Sequence, residues 1–341
     1  MERFKHYVGI DIANDDFTCS LLCRPDLPIV SASSFVNQLE GFDTFDQWLK
    51  DHGVDKQHAI ICLEATGVYG EALCYWLVGK GYLLAVEPPL KVKRAFYPKG
   101  HKNDRIDSKQ IAEYAYRFQD KLYMWQPKDQ LVEHIAILLT TREQLVQQKT
   151  ATINAFQALD RKVLKNQVAK AIYQENIKRF KIQIEQIEKE IQKIINIDNQ
   201  FKHLVHLLIT VPGVGLLMAS NLFVITNGFT QHLEYTTLAA MIGICPYQHR
   251  SGTSVWKPDQ SARCGPPRIR KLLHLAARSV KTHNKQFGKY FAQKDAQGKP
   301  KKLILNNIAN NLLRIICAII KEQKQYNSNY VSINPMLLKN T

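Results

Sequence analysis

Within its first ninety residues the chain alternates short, β-branched apolar runs with helical stretches, and two of those runs carry a carboxylate where it constrains the fold. Tyr7-Val8-Gly9-Ile10-Asp11-Ile12-Ala13 reads as a core strand, with Val8, Ile10 and Ile12 around a single acid. A buried carboxylate is costly unless something cationic meets it, so Asp11 is either a site residue or an edge-strand group turned to water. A second apolar run, Ala59-Ile60-Ile61-Cys62-Leu63-Glu64, ends on its acid.

Between these runs, residues 17–23 and 29–36 read as short strands of a meander, and 41–52 as a helix with Phe42, Phe45, Trp48 and Leu49 on one face. After Glu64, Thr66-Gly67 leads into a helix to about Lys80. Residues 82–87 form a further strand, stopped by Pro88-Pro89. Three hairpin-type strands followed by β-α-β-α units predict a mixed sheet with flanking helices, the strand pattern of an RNase H-like (RuvC-like) α/β fold. In such an open sheet the C-terminal strand ends build the site, which is where Glu64 lies.

Two more acids follow in Asn103-Asp104-Arg105-Ile106-Asp107-Ser108. At i, i+3 in a first helical turn their Cβ atoms lie roughly 5–6 Å apart on one face. Taken alone, the pair also fits ordinary helix-start acids stabilised by the macrodipole. Four clustered carboxylates need hard cations to coexist, and oxygen-only ligands favour Mg²⁺ or Mn²⁺. Two such ions about 3.5–4 Å apart would clamp the attacking and leaving oxygens of a phosphodiester.

The net charge of +16 points to a polyanionic partner. Residues 1–100 hold ten Lys/Arg against thirteen Asp/Glu, whereas 101–341 hold 36 against 17, so the surplus lies outside the first module. Residues 246–302 carry fourteen Lys/Arg and two acids, Asp259 and Asp295, a density that nucleic-acid phosphates would neutralise. No apolar run reaches the eighteen or so residues of a membrane span, and seven scattered cysteines lack zinc-ligand spacing. The expected protein is cytoplasmic, with reduced thiols and no membrane partner.

From 129 to about 197 the chain is poor in Gly and Pro, and two long helices fit best. Phe180, Ile184, Ile187, Ile191 and Ile194 form a heptad seam that suits either an internal helical hairpin or a junction between protomers. A third module opens at Val211-Pro212-Gly213-Val214-Gly215, with a helix over 216–225. Its glycines either present backbone N–H groups to a phosphate or serve a tight helix–helix turn. A helix over 236–244 then leads to Arg250-Ser251-Gly252, followed by Arg263, a basic helix from about Arg268 (Arg268, Arg270, Lys271) and a closing helix over 301–324.

In this order and at these separations, Asp11, Cys62-Leu63-Glu64-Ala65-Thr66-Gly67, the 103–108 segment, the 211–215 turn and Arg250-Ser251-Gly252 resemble the DEDD transposases of the IS one-ten and IS eleven-eleven insertion-sequence group, relatives of the Piv DNA invertase. The resemblance implies a RuvC-like catalytic domain (1–125), a helical coiled-coil linker (126–200), a mainly helical, serine-bearing transposase domain (201–330) and a tail (331–341). It further implies Mg²⁺ held by Asp11, Glu64, Asp104 and Asp107, and Ser251 as nucleophile through a phosphoserine intermediate. Donor and target DNA would be joined under the direction of a structured noncoding bridge RNA, by homodimers assembling to a tetramer. The acids and the serine are expected to meet only in that assembly.

The chain departs from the family pattern in three places. Asn103 stands where the family has Thr, Ser108 where it has Ala, and Gly265-Pro266-Pro267 where it has Gly-Asn. Tyr247 and Ser254 are rival nucleophiles by proximity. Two other readings use the same residues: a RuvC-like nuclease or junction resolvase attacking with water, and a non-catalytic nucleic-acid-binding derivative. Gly9-Ile10-Asp11 also resembles the phosphate loop of sugar kinases, but no Gly-rich adenosine segment follows it.

Overall fold

The computed structural model describes residues 4–23, 29–65, 67–96, 103–251, 255–261 and 265–328, of which 29–31, 247–251 and 255–260 are described by backbone alone. The chain folds as two compact units, Met1–Pro127 and Lys128–Thr341.

The first unit runs β1 (His6–Ile12), β2 (Asp16–Cys23), β3 (Ile29–Val36), α1 (Leu39–Asp51), β4 (Ala59–Glu64), α2 (Glu71–Gly79), β5 (Leu83–Glu87), α3 (Pro89–Arg94) and α4 (Asp104–Arg117). Its five strands pair in the order β3-β2-β1-β4-β5. β1 is antiparallel to β2 and parallel to β4, and β4 is parallel to β5, so the expected mixed sheet is present. Strand alternation gives the sheet two buried faces. Val8, Ile10, Ile61 and Leu63 pack with Phe42, Phe45 and Leu49 of α1 and Leu73 and Leu77 of α2. Tyr7, Ile60, Cys62 and Ala85 pack on the other face with Val92 of α3 and Ile111, Ala112 and Ala115 of α4.

Two helix starts differ from the sequence reading. Helix α2 begins at Glu71, several residues after Gly67, because turns at 67–70 intervene. Pro88-Pro89 ends β5 as expected but also opens α3, with Pro89 in the first helical turn. A proline there loses no hydrogen bond and its fixed φ suits the helix, so one residue pair acts as both stop and start.

The second unit runs α5 (Gln130–Asp160), α6 (Gln167–Ile197), α7 (Asn199–Ile209), α8 (Leu216–Ile225), α9 (Tyr235–Ile242), β6 (Pro246–Ser251), β7 (Val255–Ser261), α10 (Pro267–His283), α11 (Lys285–Ala296) and α12 (Lys301–Glu322). Asp129, Asn166 and Asp198 accept from the first-turn N–H groups of Leu131, Ala169 and Phe201, capping α5, α6 and α7. Helix α6 packs back along α5, and Arg142 binds Glu188 between them with Nε–Oε1 at 2.7 Å. The isoleucine seam therefore closes a hairpin within one chain, with Ile184 and Ile191 buried and Ile187 and Ile194 half-buried. The sequence reading anticipated neither the β6–β7 hairpin nor α11 in this mainly helical unit.

Helix α12 is long and apolar enough to cross a membrane by length and composition, with a mean hydropathy of 1.7 over its best 18 residues. Asn306, Asn307, Asn310, Asn311 and Arg314 break it into shorter apolar runs, which is why no single run reached that length in the sequence. Ile304, Ile308, Leu312, Leu313, Ile316 and Ile320 are buried in the core of the second unit, as in a central helix of a globular fold.

In the first unit, α4 lies directly on β1. A Cβ placed on Gly9 would come within 2.2 Å of both Ala112 N and Ser108 O, so only glycine permits this seat. Gly9→Ala is accordingly expected to lower unfolding free energy by about 2–3 kcal/mol, through displacement of α4. Chemical denaturation checks this, and a change under about 0.5 kcal/mol would contradict so close a packing.

Candidate active site

Register and periodicity decide where the four acids of the first unit sit. Ile10 of β1 pairs with Leu63 of β4, and both side chains enter the α1/α2 face. The next residues, Asp11 and Glu64, therefore project on the opposite face, the one that α4 covers. Helix α4 runs antiparallel to β1: Tyr116 meets Tyr7 edge-on at 5.3 Å between ring centroids, while Ser108 and Ala112 lie against Gly9. Going from Tyr7 to Asp11 along the strand thus leads toward the start of α4. There Asp104 and Asp107, one turn before the buried Ser108 and Ile111, continue the sheet-facing stripe past the core.

All four acids share one end of the sheet, on its α4 side. Asp104 is exposed, while Asp11, Glu64 and Asp107 are half-buried. Asp11 is therefore not the fully buried strand carboxylate that its apolar neighbours imply; it sits where β1 emerges from the core. The oxygen-only donor set suits a hard divalent cation. Among the described residues, however, no three Asp, Glu, His or Cys side chains converge closely enough to form a metal cage.

Two of the departures noted in the sequence have local explanations. Asn103 is the N-cap of α4, its Oδ1 accepting from Ile106 N at 2.9 Å, the capping role that Thr can also fill. Ser108 is fully buried, yet its hydroxyl is satisfied by Ser20 Oγ at 2.8 Å and Arg105 O at 3.2 Å.

The same region holds residues that the sequence reading did not single out. Glu87 is the register partner of Glu64 and is 3 % exposed. Lys91 Nζ donates to Glu87 Oε1 at 2.9 Å and lies 2.8 Å from Oε2. Burial would lower the pKa of Lys91, but the hydrogen bond to Glu87 and its negative charge, with a smaller contribution from nearby Tyr114, together outweigh it, so the ammonium is held above its ordinary value. Burial, then the Glu87 charge, pushes the Tyr114 phenol up. Asn37 Nδ2 donates to Ala13 O at 3.1 Å and Tyr69 O at 3.0 Å, tying the turn after Asp11 to the segment after Glu64. Only the i, i+4 spacing of Glu87 and Lys91 was visible in sequence.

In the second unit Ser251 is the last residue of β6, paired through its backbone with Val255, so it stands at the tip of a hairpin. Arg250 precedes it, opposite Trp256, and Tyr247 pairs with Gln260 further from the tip. Gly252, Thr253, Ser254 and Arg263 lie outside the described residues. Gly213 has a packing reason to be glycine: at φ +80° its Cβ would meet Ala276 O and Val280 Cγ1, each at 3.1 Å, on α10. Gly215 is the N-cap of α8, with open space around its Cβ position.

The basic helix divides its cations between structure and surface. Arg270 Nη1 donates to Ile242 O and Gly265 O, each at 2.9 Å, so it ties the end of α9 to α10. Burial lowers the pKa of Arg268, which lies near Glu143, and Lys271 pairs with Glu143 at 3.6 Å. One turn and two turns beyond Arg270 come His274 and Arg278. With Arg270, Lys271, Lys302 and Asn306 they line a groove of about 760 Å³, whose described lining includes no acid. The i, i+4, i+8 spacing along α10 is the sequence signal that would have found His274 and Arg278.

Two family models match the chain. A DEDD transposase model covers residues 8–163, and a model for the transposase IS116/IS110/IS902 family covers residues 205–292. The first segment holds all four acids and the second holds the β6–β7 hairpin and α10. The chain belongs to the IS110 family of transposases. It is therefore related to DNA-recombining enzymes. It is 26 % identical over 329 residues to the pilin gene-inverting proteins of Moraxella bovis and Moraxella lacunata, covering 94 % of this chain and 98 % of each of those proteins. It is also 26 % identical over 282 residues to a transposase for insertion sequence element IS1111A of Coxiella burnetii, covering 73 % of this chain and 74 % of that protein.

For this IS110-family transposase the groove beside α10, whose described lining holds four cationic or imidazole side chains of α10 and Lys302 but no acid, is expected to accept a phosphodiester backbone. Arg278→Ala and Lys302→Ala are each expected to weaken DNA binding and to reduce the slope of log K against log salt by about 0.9. Binding isotherms at four or more salt concentrations measure this. Slopes that match the unsubstituted protein would contradict a phosphate role for the groove.

Proposed function

We propose that this transposase cuts and rejoins DNA with Ser251 as nucleophile, assisted by a divalent cation at Asp11, Glu64, Asp104 and Asp107. The observation that carries the reading is the gathering of these four acids at one end of the sheet, by strand register and by the seat of α4. The strand order and its antiparallel-then-parallel pairing support an RNase H-like assignment for the first unit. The division of labour follows the modules read from the sequence, with carboxylates in 1–125, helical spacer in 126–200 and serine in 201–330.

Mg²⁺ or Mn²⁺ at the four carboxylates would lower the pKa of a bound hydroxyl and neutralise charge developing on the phosphoryl oxygens. The chain's own residues do the remainder. The Ser251 hydroxyl, a weak nucleophile until it loses its proton, attacks phosphorus. An Oγ–P bond forms and one P–O bond of the strand breaks, the released strand oxygen taking a proton as the serine gives one up. Because the phosphodiester energy stays in the serine ester, the hydroxyl end of a second strand can reverse the step and reseal DNA without ATP. The groove beside α10 would hold the phosphate backbone while this exchange occurs.

Resealing both partners is the outcome common to gene inversion and to insertion, the two activities named for the relatives. Guidance by a structured noncoding RNA and assembly of dimers into a tetramer rest on the family resemblance, as does a requirement for both donor and target DNA.

Purified protein is incubated with both DNAs, copurified RNA and Mg²⁺, then run on a denaturing gel. A protein–DNA adduct is expected, lost in Ser251→Ala and after chelation of the metal. Adduct persisting in Ser251→Ala would overturn the serine mechanism. Cleavage with free ends and no adduct would instead favour attack by water, for which the four acids suffice. RNase treatment that leaves activity intact would remove the RNA.

A further inference from the structure

The hairpin that carries Ser251 leaves and rejoins a helical body. Among the described residues, β6 and β7 pack chiefly on each other, so the direction of the hairpin is decided at its base. The chain enters from α9 through Gly243, Ile244 and Cys245 to Pro246, and it returns from Ser261 to Gly265 before α10 begins.

That base is held by hydrogen bonds and by one close backbone contact. Arg270, in the first turn of α10, places Nη1 2.9 Å from Ile242 O on the entry side and 2.9 Å from Gly265 O on the exit side. The nitrogen carries two hydrogens, one for each carbonyl, so a single side chain joins both ends of the hairpin. Gly265 is at φ +81°, and a Cβ there would overlap Met241 O, so the returning backbone lies directly against the end of α9. From α12, Asn306 Nδ2 and Asn310 Nδ2 each reach Ile244 O at a longer 3.4 Å. Asn310 is itself fixed, donating to Asn306 O at 2.9 Å and accepting from the Tyr235 hydroxyl at 2.8 Å.

The length of the hairpin gives these contacts leverage. Ser251 is five residues beyond Pro246 in β6, which places it about 17 Å along an extended strand. A tilt of the base by about 10° would swing the tip by about 3 Å, and a misplacement of about 1 Å can slow a reaction about a hundredfold. Gly243, Ile244, Pro246 and Ser261, at or beside the base, also line the groove that contains Arg278 and Lys302. The bonds at the base therefore relate the serine-bearing tip to the surface expected to hold phosphates.

We propose that Arg270 is a positioning residue which, with Asn306 and Asn310, aims the Ser251 hairpin at DNA lying in the groove. The proposal rests on the reading of Ser251 as nucleophile. It separates Arg270 from the groove cations, because the Nη1 donors are engaged by backbone carbonyls. Loss of a phosphate contact shows in affinity and salt dependence, whereas loss of aim shows in the rate once DNA is saturating.

The test follows single-turnover formation of the protein–DNA adduct by full-length protein with both DNAs, copurified RNA and Mg²⁺, over a range of DNA concentrations. Thermal unfolding establishes that each variant is folded. Arg270→Lys keeps the charge but lacks the guanidinium's reach to both carbonyls. It is expected to lower the saturating rate at least about tenfold, with the half-saturating DNA concentration within about twofold of the unsubstituted protein and the salt slope unchanged. Weakened binding with the saturating rate retained would make Arg270 a phosphate ligand and overturn the proposal, as would no change in either quantity. Should Arg270→Lys not fold, Asn306→Ala decides: it is expected to lower the saturating rate about threefold at unchanged affinity, and an unchanged rate would overturn the proposal. Ser251→Ala separates the two levels of inference. If it still forms the adduct, the nucleophile reading fails and the proposal falls with it. If Ser251→Ala abolishes the adduct while folded Arg270→Lys and Asn306→Ala react at the unsubstituted rate, the nucleophile stands and the positioning role is wrong.

Discussion

The seat of α4 on Gly9 governs the geometry of the first unit. A helix backbone can approach a strand this closely only where the strand lacks a Cβ, and the approach sets the start of the helix over the emerging end of β1. From that one contact the sheet-facing stripe of α4 follows, with Ser108, Ile111, Ala112 and Ala115 inside and Asp104 and Asp107 just beyond the core. Strand alternation then turns Asp11 and Glu64 to the same side. Four acids from three separate segments share a sheet end as a consequence of backbone packing, and the buried Glu87, paired with the exposed Lys91, borders the same end.

Much of this was legible in the chain. The apolar runs at 7–13 and 59–64 marked the central parallel strands, because strands buried on both faces read as continuous apolar stretches. Asp104 and Asp107 were visible as a helix start, and the cap at Asn103 is the kind of residue such a start requires. Other features depend on information that a linear pattern does not carry. Pro88-Pro89 signals an interruption, and nothing local reveals that a helix begins inside it. Glu87 looks like any strand-end acid until the register places it beside Glu64. Arg270 looks like one more surface cation in a basic helix, whereas its guanidinium is engaged by two backbone carbonyls.

In the second unit, composition and position separate in the same way. The charge surplus of 246–302 singles out one module in the sequence, but its individual cations have different fates in the fold. Lys271 is paired with Glu143 and Arg268 is half-buried, while His274, Arg278 and Lys302 face a groove with no described acid. The isoleucine seam of α6 left two partners open in the sequence, and α5 supplies one of them within the chain. The hairpin bearing Ser251 was hidden because its two strands are short, polar and set among helices, where helical periodicity dominates the local signal.

The central claim is that Asp11, Glu64, Asp104 and Asp107 serve one cation although no two of the three segments bearing them are adjacent in sequence. Iron-directed cleavage tests it most directly: Fe²⁺ replaces Mg²⁺, ascorbate and peroxide generate hydroxyl radicals at the bound ion, and the backbone cuts are mapped by mass spectrometry. Cuts clustered around residues 11, 64 and 104–107, suppressed together by excess Mg²⁺, are the expected result. Cuts confined to one of these segments, or scattered along the chain and insensitive to Mg²⁺, would contradict it.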